Sequence, residues 1–189
     1  MSTLKVNNID TQTGSNIVVA SGKVLSAPGH IIQVVRTTPA TTSSVTLASS
    51  PPNMIEFSSA NRTTITPKFA TSLLRLNFSA LVSGQNTSAI MSFKFYDQTN
   101  NSNVGFSALG TGSGRTFCNA SFRNKDYDAN DRVHLNMTAY QAASNTNART
   151  YSIYGMIESS QTIYMNMTTT DNNGCSYAPP VFTIEEIAQ

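Results

Sequence analysis

The sequence predicts an all-β fold, an antiparallel β-sandwich or jelly roll. Three observations point to it. Apolar and polar side chains alternate with a period of two in one short segment after another. Turn residues punctuate these segments at short intervals. No stretch carries the 3.6-residue period of an amphipathic helix. Ser, Thr and Asn make up about a third of the chain, a composition rich in strand faces and turns. The 189 residues suffice for one domain with its own core.

In chain order, residues 1–26 read as an extended amino-terminal arm. Leu4, Val6 and Ile9 are too sparse for a core, and Asn16-Ile-Val-Val-Ala20 is one short strand. Such an arm could reach on the order of 80 Å and clasp a neighbouring subunit. Residues 27–189 form the sandwich. Pro28-Gly29 is a turn feeding a strand to Arg36. Ser44–Ala48 alternates weakly, and Met54–Ser58 reads as a short strand.

Pro67 has no N–H to offer a ladder, which suits the entrance of the next strand. In that strand Leu74, Leu76, Phe78 and Ala80 point inward, while Arg75, Asn77 and Ser79 point outward. Met91, Phe93 and Phe95 mark the inner face of the strand Ala89–Tyr96. Asp97–Asn103 reads as a turn, the glycine-rich stretch from Val104 to Arg115 as a loop, and Thr116–Phe122 as a strand. Val133, Leu135, Met137 and Ala139 face inward from a strand ending at Tyr140, and a loop follows over residues 141–149. Thr150–Ile157, Thr162–Met167 and Val181–Ile187 complete eight or nine strands, with a turn at Asp171–Gly174.

Twelve Lys and Arg against ten Asp and Glu leave a net charge of +2, with no basic run in sequence. This balance gives no footprint for nucleic acid or an anionic membrane. There is no apolar run long enough for a membrane helix. Residues 1–8 are polar, so synthesis in a cytoplasm is expected. Seven Asn-X-Ser/Thr sequons, the number such a composition yields by chance, are expected to go unused. Cys118 and Cys175 are expected as free thiols.

No catalytic, cofactor or metal site is expected. His30 and His134 have no evident third ligand or nucleophile. Asp126-Tyr-Asp-Ala-Asn-Asp131 spaces oxygens as a calcium loop does, but it lacks the turn glycine and has Met137 at the twelfth position. The glycines from Gly105 to Gly114 precede no Lys-Ser/Thr, and Ser113 sits in no nucleophile elbow. Glu185 and Glu186 are strand neighbours and must face opposite sides.

Tyr96, Tyr140, Tyr154, Met156 and Tyr164 are expected to point outward as one sticky flank, which identical copies would cover in a closed trimer. The tyrosines, with Tyr127, Tyr151 and Tyr177, could alternatively build a surface for a host glycan. The loops at 105–114 and 141–149 would then carry the site.

Four motifs in order add a resemblance: Ala27-Pro-Gly-His-Ile-Ile-Gln-Val-Val35, Ile65-Thr-Pro-Lys-Phe-Ala-Thr-Ser-Leu-Leu74, Val133-His-Leu-Asn-Met137 and Phe182-Thr-Ile-Glu-Glu-Ile-Ala188. Together they resemble the jelly-roll structural proteins of tailed bacteriophages, including those of aquatic and cyanobacterial hosts. The resemblance implies a non-enzymatic homotrimer in the virion, made in the host cytoplasm. Its expected partners are the major capsid protein or other virion proteins. Capsid decoration or cement is the expected role, and a short head or tail fibre the alternative.

Overall fold

The computed structural model describes residues 27–38, 43–47, 54–84, 90–105, 118–123, 133–157, 161–165 and 179–189. Its strands are β1 Ile31–Thr37, β2 Ser43–Leu47, β3 Ile55–Glu56, β4 Thr63–Ile65, β5 Leu73–Gly84, β6 Ile90–Asp97, β7 Ser102–Asn103, β8 Ala120–Arg123, β9 Val133–Ala142, β10 Arg149–Ile157, β11 Gln161–Met165 and β12 Val181–Ile187. The one helical element among the described residues is a 3-10 turn, Ser59–Asn61. The expected strands are there, although residues 54–58 keep only two in a ladder. Two further strands, β4 and β7, hold three and two residues, too few to show a period in sequence. The expected arm, the strand at 16–20, the turn at 171–174 and the acidic stretch 126–131 lie outside the described residues.

All strand pairs are antiparallel and fall into two sheets. In sheet A, the long strand β5 is the axis. Strand β9 pairs along one edge, from Leu73 opposite Ala142 to Val82 opposite Val133. The other edge is shared, β12 taking Leu73–Ser79 and β11 taking Val82–Gly84. Strand β1 lies outside β12, and β2 outside β11. Sheet B repeats the plan around the pair β10–β6. Strands β4 and β3 share the outer edge of β10, and β7 and β8 that of β6.

The core fills the space between the sheets, because most inward positions of the alternating strands are apolar. Leu74, Leu76 and Phe78 of β5 and Phe182 and Ile184 of β12 meet Met91, Phe93 and Phe95 of β6 and Tyr151 and Ile153 of β10, all buried. Phe182 joins the layers. It packs edge-on to Phe78 of its own sheet, with ring centroids 6.0 Å apart. It also lies 5.5 Å from Phe95 of the facing sheet. Such aromatic pairs add about 0.5–1.5 kcal/mol each beyond the area they bury.

Three of the four motifs lie in sheet A, and the second leads into it. Ala27–His30 is a turn with Pro28 at its second position and Gly29 at its third. Gly29 has φ +82°, a conformation that favours glycine. The His30 N–H closes the turn on the Ala27 carbonyl at 2.9 Å. The Gly29 N–H donates to the Ala188 carbonyl (2.8 Å), and the Ala188 N–H to the His30 carbonyl (2.9 Å), so β12 is clamped to the turn. The second motif runs from the end of β4 in sheet B to β5 in sheet A. Pro67 therefore stands in a crossover between layers, not only at a strand entrance.

Candidate interaction surface

The two histidines are not brought together. His30 lies at the start of β1 and His134 near the start of β9, at opposite edges and opposite ends of sheet A. The His134 ring is exposed. Its Nε2 is 2.9 Å from Ser79 Oγ and its Nδ1 3.2 Å from Asn136 Nδ2. Cys118 is a half-buried free thiol, and Cys175 lies outside the described residues. Among the described residues, no three of His, Cys, Asp or Glu group as metal ligands.

Glu185 and Glu186 do face opposite sides. Glu185 pairs with Arg75 on the outer face of sheet A. Glu186 points inward with Phe182 and Ile184 and is fully buried. Its carboxylate takes N–H groups from the β4–β5 crossover: Lys68 donates at 2.8 and 2.9 Å and Phe69 at 3.0 Å. Gln33 Nε2 donates to the same carboxylate at 2.6 Å and to the Thr66 carbonyl at 2.7 Å. Burial alone would push the Glu186 carboxyl up. The Lys68 and Phe69 N–H groups outweigh it and hold the pKa below the ordinary carboxylate range. Sequence reasoning assigned Glu186 no role. The signal was present, since an acid in the inward register of β12 must find buried donors.

Asp97, also fully buried, closes the turn after β6. Its Oδ1 accepts the Thr99 and Asn100 N–H groups, both at 3.0 Å. Its Oδ2 accepts Asn100 Nδ2 at 2.7 Å and Gln141 Nε2 at 3.3 Å. Beside it, Arg149 donates to the Ala142 carbonyl at 3.2 Å, and burial pushes the Tyr151 hydroxyl up to about 12. These buried ionisable groups hold turns and chain ends. The loop expected at 141–149 shrinks to residues 143–148, because β9 and β10 extend into it. It is braced by the Asn147 N–H on Asn145 Oδ1 (3.0 Å). Residues 106–117 lie outside the described residues.

The expected sticky flank is not one surface. Tyr140, half exposed, stands on the outer face of sheet A, and half-buried Tyr164 lies on β11 of that sheet. Tyr96 and Tyr154 stand on the outer face of sheet B. Met156 is buried, and Tyr151 belongs to the core. Alternation reveals that a side chain points outward, but not from which of two layers.

The outer face of sheet A changes character along the strands. At the end nearest the Gly29 turn, Ile31, Ile187, Leu73 and Ala142 lie in one row across β1, β12, β5 and β9. In the next row Val34 and Tyr140 flank the Glu185–Arg75 pair. Ile31, Val34 and Tyr140 are 43%, 55% and 50% exposed, so this corner is apolar along its end row and is interrupted by the Glu185–Arg75 pair in the next. Phe69, from the crossover held by Glu186, is exposed at the same end. Further along, Asn77, Ser79, Asn136, Thr138, Val181 and Thr183 line an open, uncharged groove of about 340 Å³.

On the outer face of sheet B, the Tyr96 and Tyr154 rings meet at a tilt of 33° with centroids 4.5 Å apart. Lys94 Nζ lies 5.4 and 5.7 Å from their centroids, a cation–π arrangement. Burial pushes the Lys94 ammonium below its usual pKa range. Gln98 Nε2 donates to Ser152 Oγ (2.7 Å) and Tyr154 Oη (3.2 Å), and Arg62 pairs with Glu56 alongside (2.7 Å). This aromatic pair is thus already engaged within its own face.

Set against known proteins, the chain matches no protein-family model and no curated protein.

Proposed function

We propose that this chain is a non-enzymatic structural protein of a tailed-phage virion, a homotrimeric jelly roll that decorates or cements the capsid. The strand order supports the jelly roll. Early and late strands pair in nested fashion, β1 with β12, β4 with β10, β5 with β9 and β6 with β8. That is a two-stranded ribbon wrapped into two sheets, an architecture used by capsid and lectin domains. The resemblance of the four motifs to phage virion proteins gives the biological setting.

The observation that carries self-association is the apolar corner of sheet A. Ile31 and Val34 of β1 and Tyr140 of β9 are half exposed on this face, with Ile187 and Leu73 between them in the end row, and an apolar corner of this kind usually marks a partner. An obligate interface of the size typical of such assemblies, over roughly 2,000 Å², would cover it. Light scattering tests this reading. The wild-type chain runs as a trimer at micromolar concentration, and Val34→Glu, an exposed position that leaves the core intact, runs as a monomer with unchanged far-ultraviolet circular dichroism. A monomeric wild type overturns the trimer. Images of particles carrying the labelled protein then test the site, with head decoration expected.

A short fibre that binds a host glycan is the second reading, favoured by the Tyr96–Tyr154–Lys94 cluster. Saturable glycan binding abolished by Tyr154→Ala would replace cement with fibre.

A further inference from the structure

An exposed strand edge offers unpaired N–H and C=O groups to any passing strand, and proteins ordinarily blunt such edges with charge, proline, a bulge or brevity. Most of the described edges are blunted in those ways; the uncharged outer strand β2 has only five residues, and β9 is the long exception. Strand β1 carries Arg36 and an irregular register between Ile31 and Gln33. The outer strands of sheet B, β3, β4, β7 and β8, are two to four residues long. Strand β9 has ten residues, Val-His-Leu-Asn-Met-Thr-Ala-Tyr-Gln-Ala, without a charged residue or a proline. Its register against β5 is unbroken from Val133 to Ala142. Among the described residues no strand pairs with its other edge.

The sequence holds a matching half. Asn16-Ile-Val-Val-Ala20 is uncharged and rich in β-branched residues. A lone strand of five residues is not stable in water, so its backbone groups need a ladder elsewhere. We propose that the open edge of β9 receives residues 16–20 of a neighbouring copy as an added antiparallel strand of sheet A. This rests on the self-association proposed above and names where the arm docks.

Chain length argues for a neighbour rather than the same chain. Residue 27 sits in the turn before β1, at the opposite edge of sheet A from β9. A strand added outside β9 would lie about four strand spacings from β1, roughly 19 Å. Antiparallel pairing with the last five residues of β9 would place Ala20 roughly 14 Å further back along the strand. The straight-line distance is then about 24 Å, through space that β12, β5 and β9 fill, while the seven steps from Ala20 to residue 27 span at most about 23–25 Å and must pass around those strands. The chain's own arm could reach its own β9 only as a parallel strand at near-full extension, whereas every described pair here is antiparallel. Added antiparallel from a neighbour, Ile17 and Val19 or Val18 and Ala20 would extend the inner row begun by Leu135, Met137 and Ala139.

Amide hydrogen exchange on the full-length protein tests the proposal. In the intact chain the alternate amides of residues 134–141 that face the open edge are protected. In a chain lacking residues 2–25, and in Val18→Pro with the arm present, they exchange at least tenfold faster, while the β6 and β10 amides are unchanged. Co-refolding an isotope-labelled armless chain with excess full-length chain restores protection on the labelled β9. Equal β9 exchange with and without the arm overturns the docking site. Loss on deletion with no rescue of the labelled chain overturns the neighbour and assigns the arm to its own sheet. Protection of β9 in a protein that decorates no capsid leaves this inference standing and removes the virion role.

Discussion

Two carboxylates are fully buried among the described residues, and they do different work. Asp97 binds what lies next to it: two of its partners are the N–H groups two and three residues ahead. Glu186 binds what lies 117, 118 and 153 residues away, joining β12, the β4–β5 crossover and β1. Removing Asp97 frees a turn that water can re-solvate. Removing Glu186 strands donors at the point where one layer passes into the other. The contrast shows that burial does not rank two acids of equal exposure. The cost of losing one depends on whether its donors have another acceptor.

The largest effect is therefore expected from Glu186→Ala, a loss of about 3–4 kcal/mol, since the N–H groups of Lys68 and Phe69 and the Gln33 amide lose a charged acceptor together. Urea denaturation at neutral pH measures it, and a loss no greater than that of Asp97→Ala would erase the contrast. Glu186→Gln comes next, at about 2 kcal/mol. Both Glu186 oxygens accept donors, so an amide must turn its own N–H groups toward one of them.

The same variant sharpens the comparison by pH. The folded pKa of Glu186 lies below its ordinary value, so the unfolded chain takes up the proton first. The stabilisation is present above the unfolded value near 4.5 and disappears as pH falls through the lower folded value. Denaturation midpoints recorded from pH 7 to pH 2 should fall less steeply in Glu186→Gln than in the wild type. Parallel acid limbs would show that Glu186 carries no such linkage.

Asp97→Ala is expected to cost about 1–2 kcal/mol, comparable to the loss of a helix cap, because its turn donors reach solvent once freed. Asp97→Asn is the smallest change, about 1 kcal/mol, because the retained Oδ1 still accepts the Thr99 and Asn100 N–H groups and the exposed Asn100 amide can turn its oxygen to the new N–H. A thermal shift for Asp97→Asn as large as that for Asp97→Ala would mean that the charge, not the turn geometry, matters there.

The same division separates what could be read from the chain from what could not. The turn beginning at Asp97 is visible in sequence, because its donors are neighbours and Asp is a turn residue for that reason. The inward rows Leu74–Leu76–Phe78 and Val133–Leu135–Met137 are visible as a period of two. The partners of Glu186 are not visible, because a strand position specifies a direction but not what lies there. The outward tyrosines fail for the same cause. Tyr140 and Tyr154 obey one alternation, yet they emerge on opposite faces of the sandwich.

By itself the amino-acid order determined the strands, their inward sides and most turns, because these depend on backbone geometry and hydrophobicity within a few residues. Tertiary structure alone decided that dispersed motifs meet at one sheet, that Glu186 locks its crossover, and that β9 is the long edge strand with no partner on its outer side among the described residues. Those outcomes depend on which strands pair, and pairing is settled by contacts between residues from tens to more than a hundred positions apart, where local pattern carries no information.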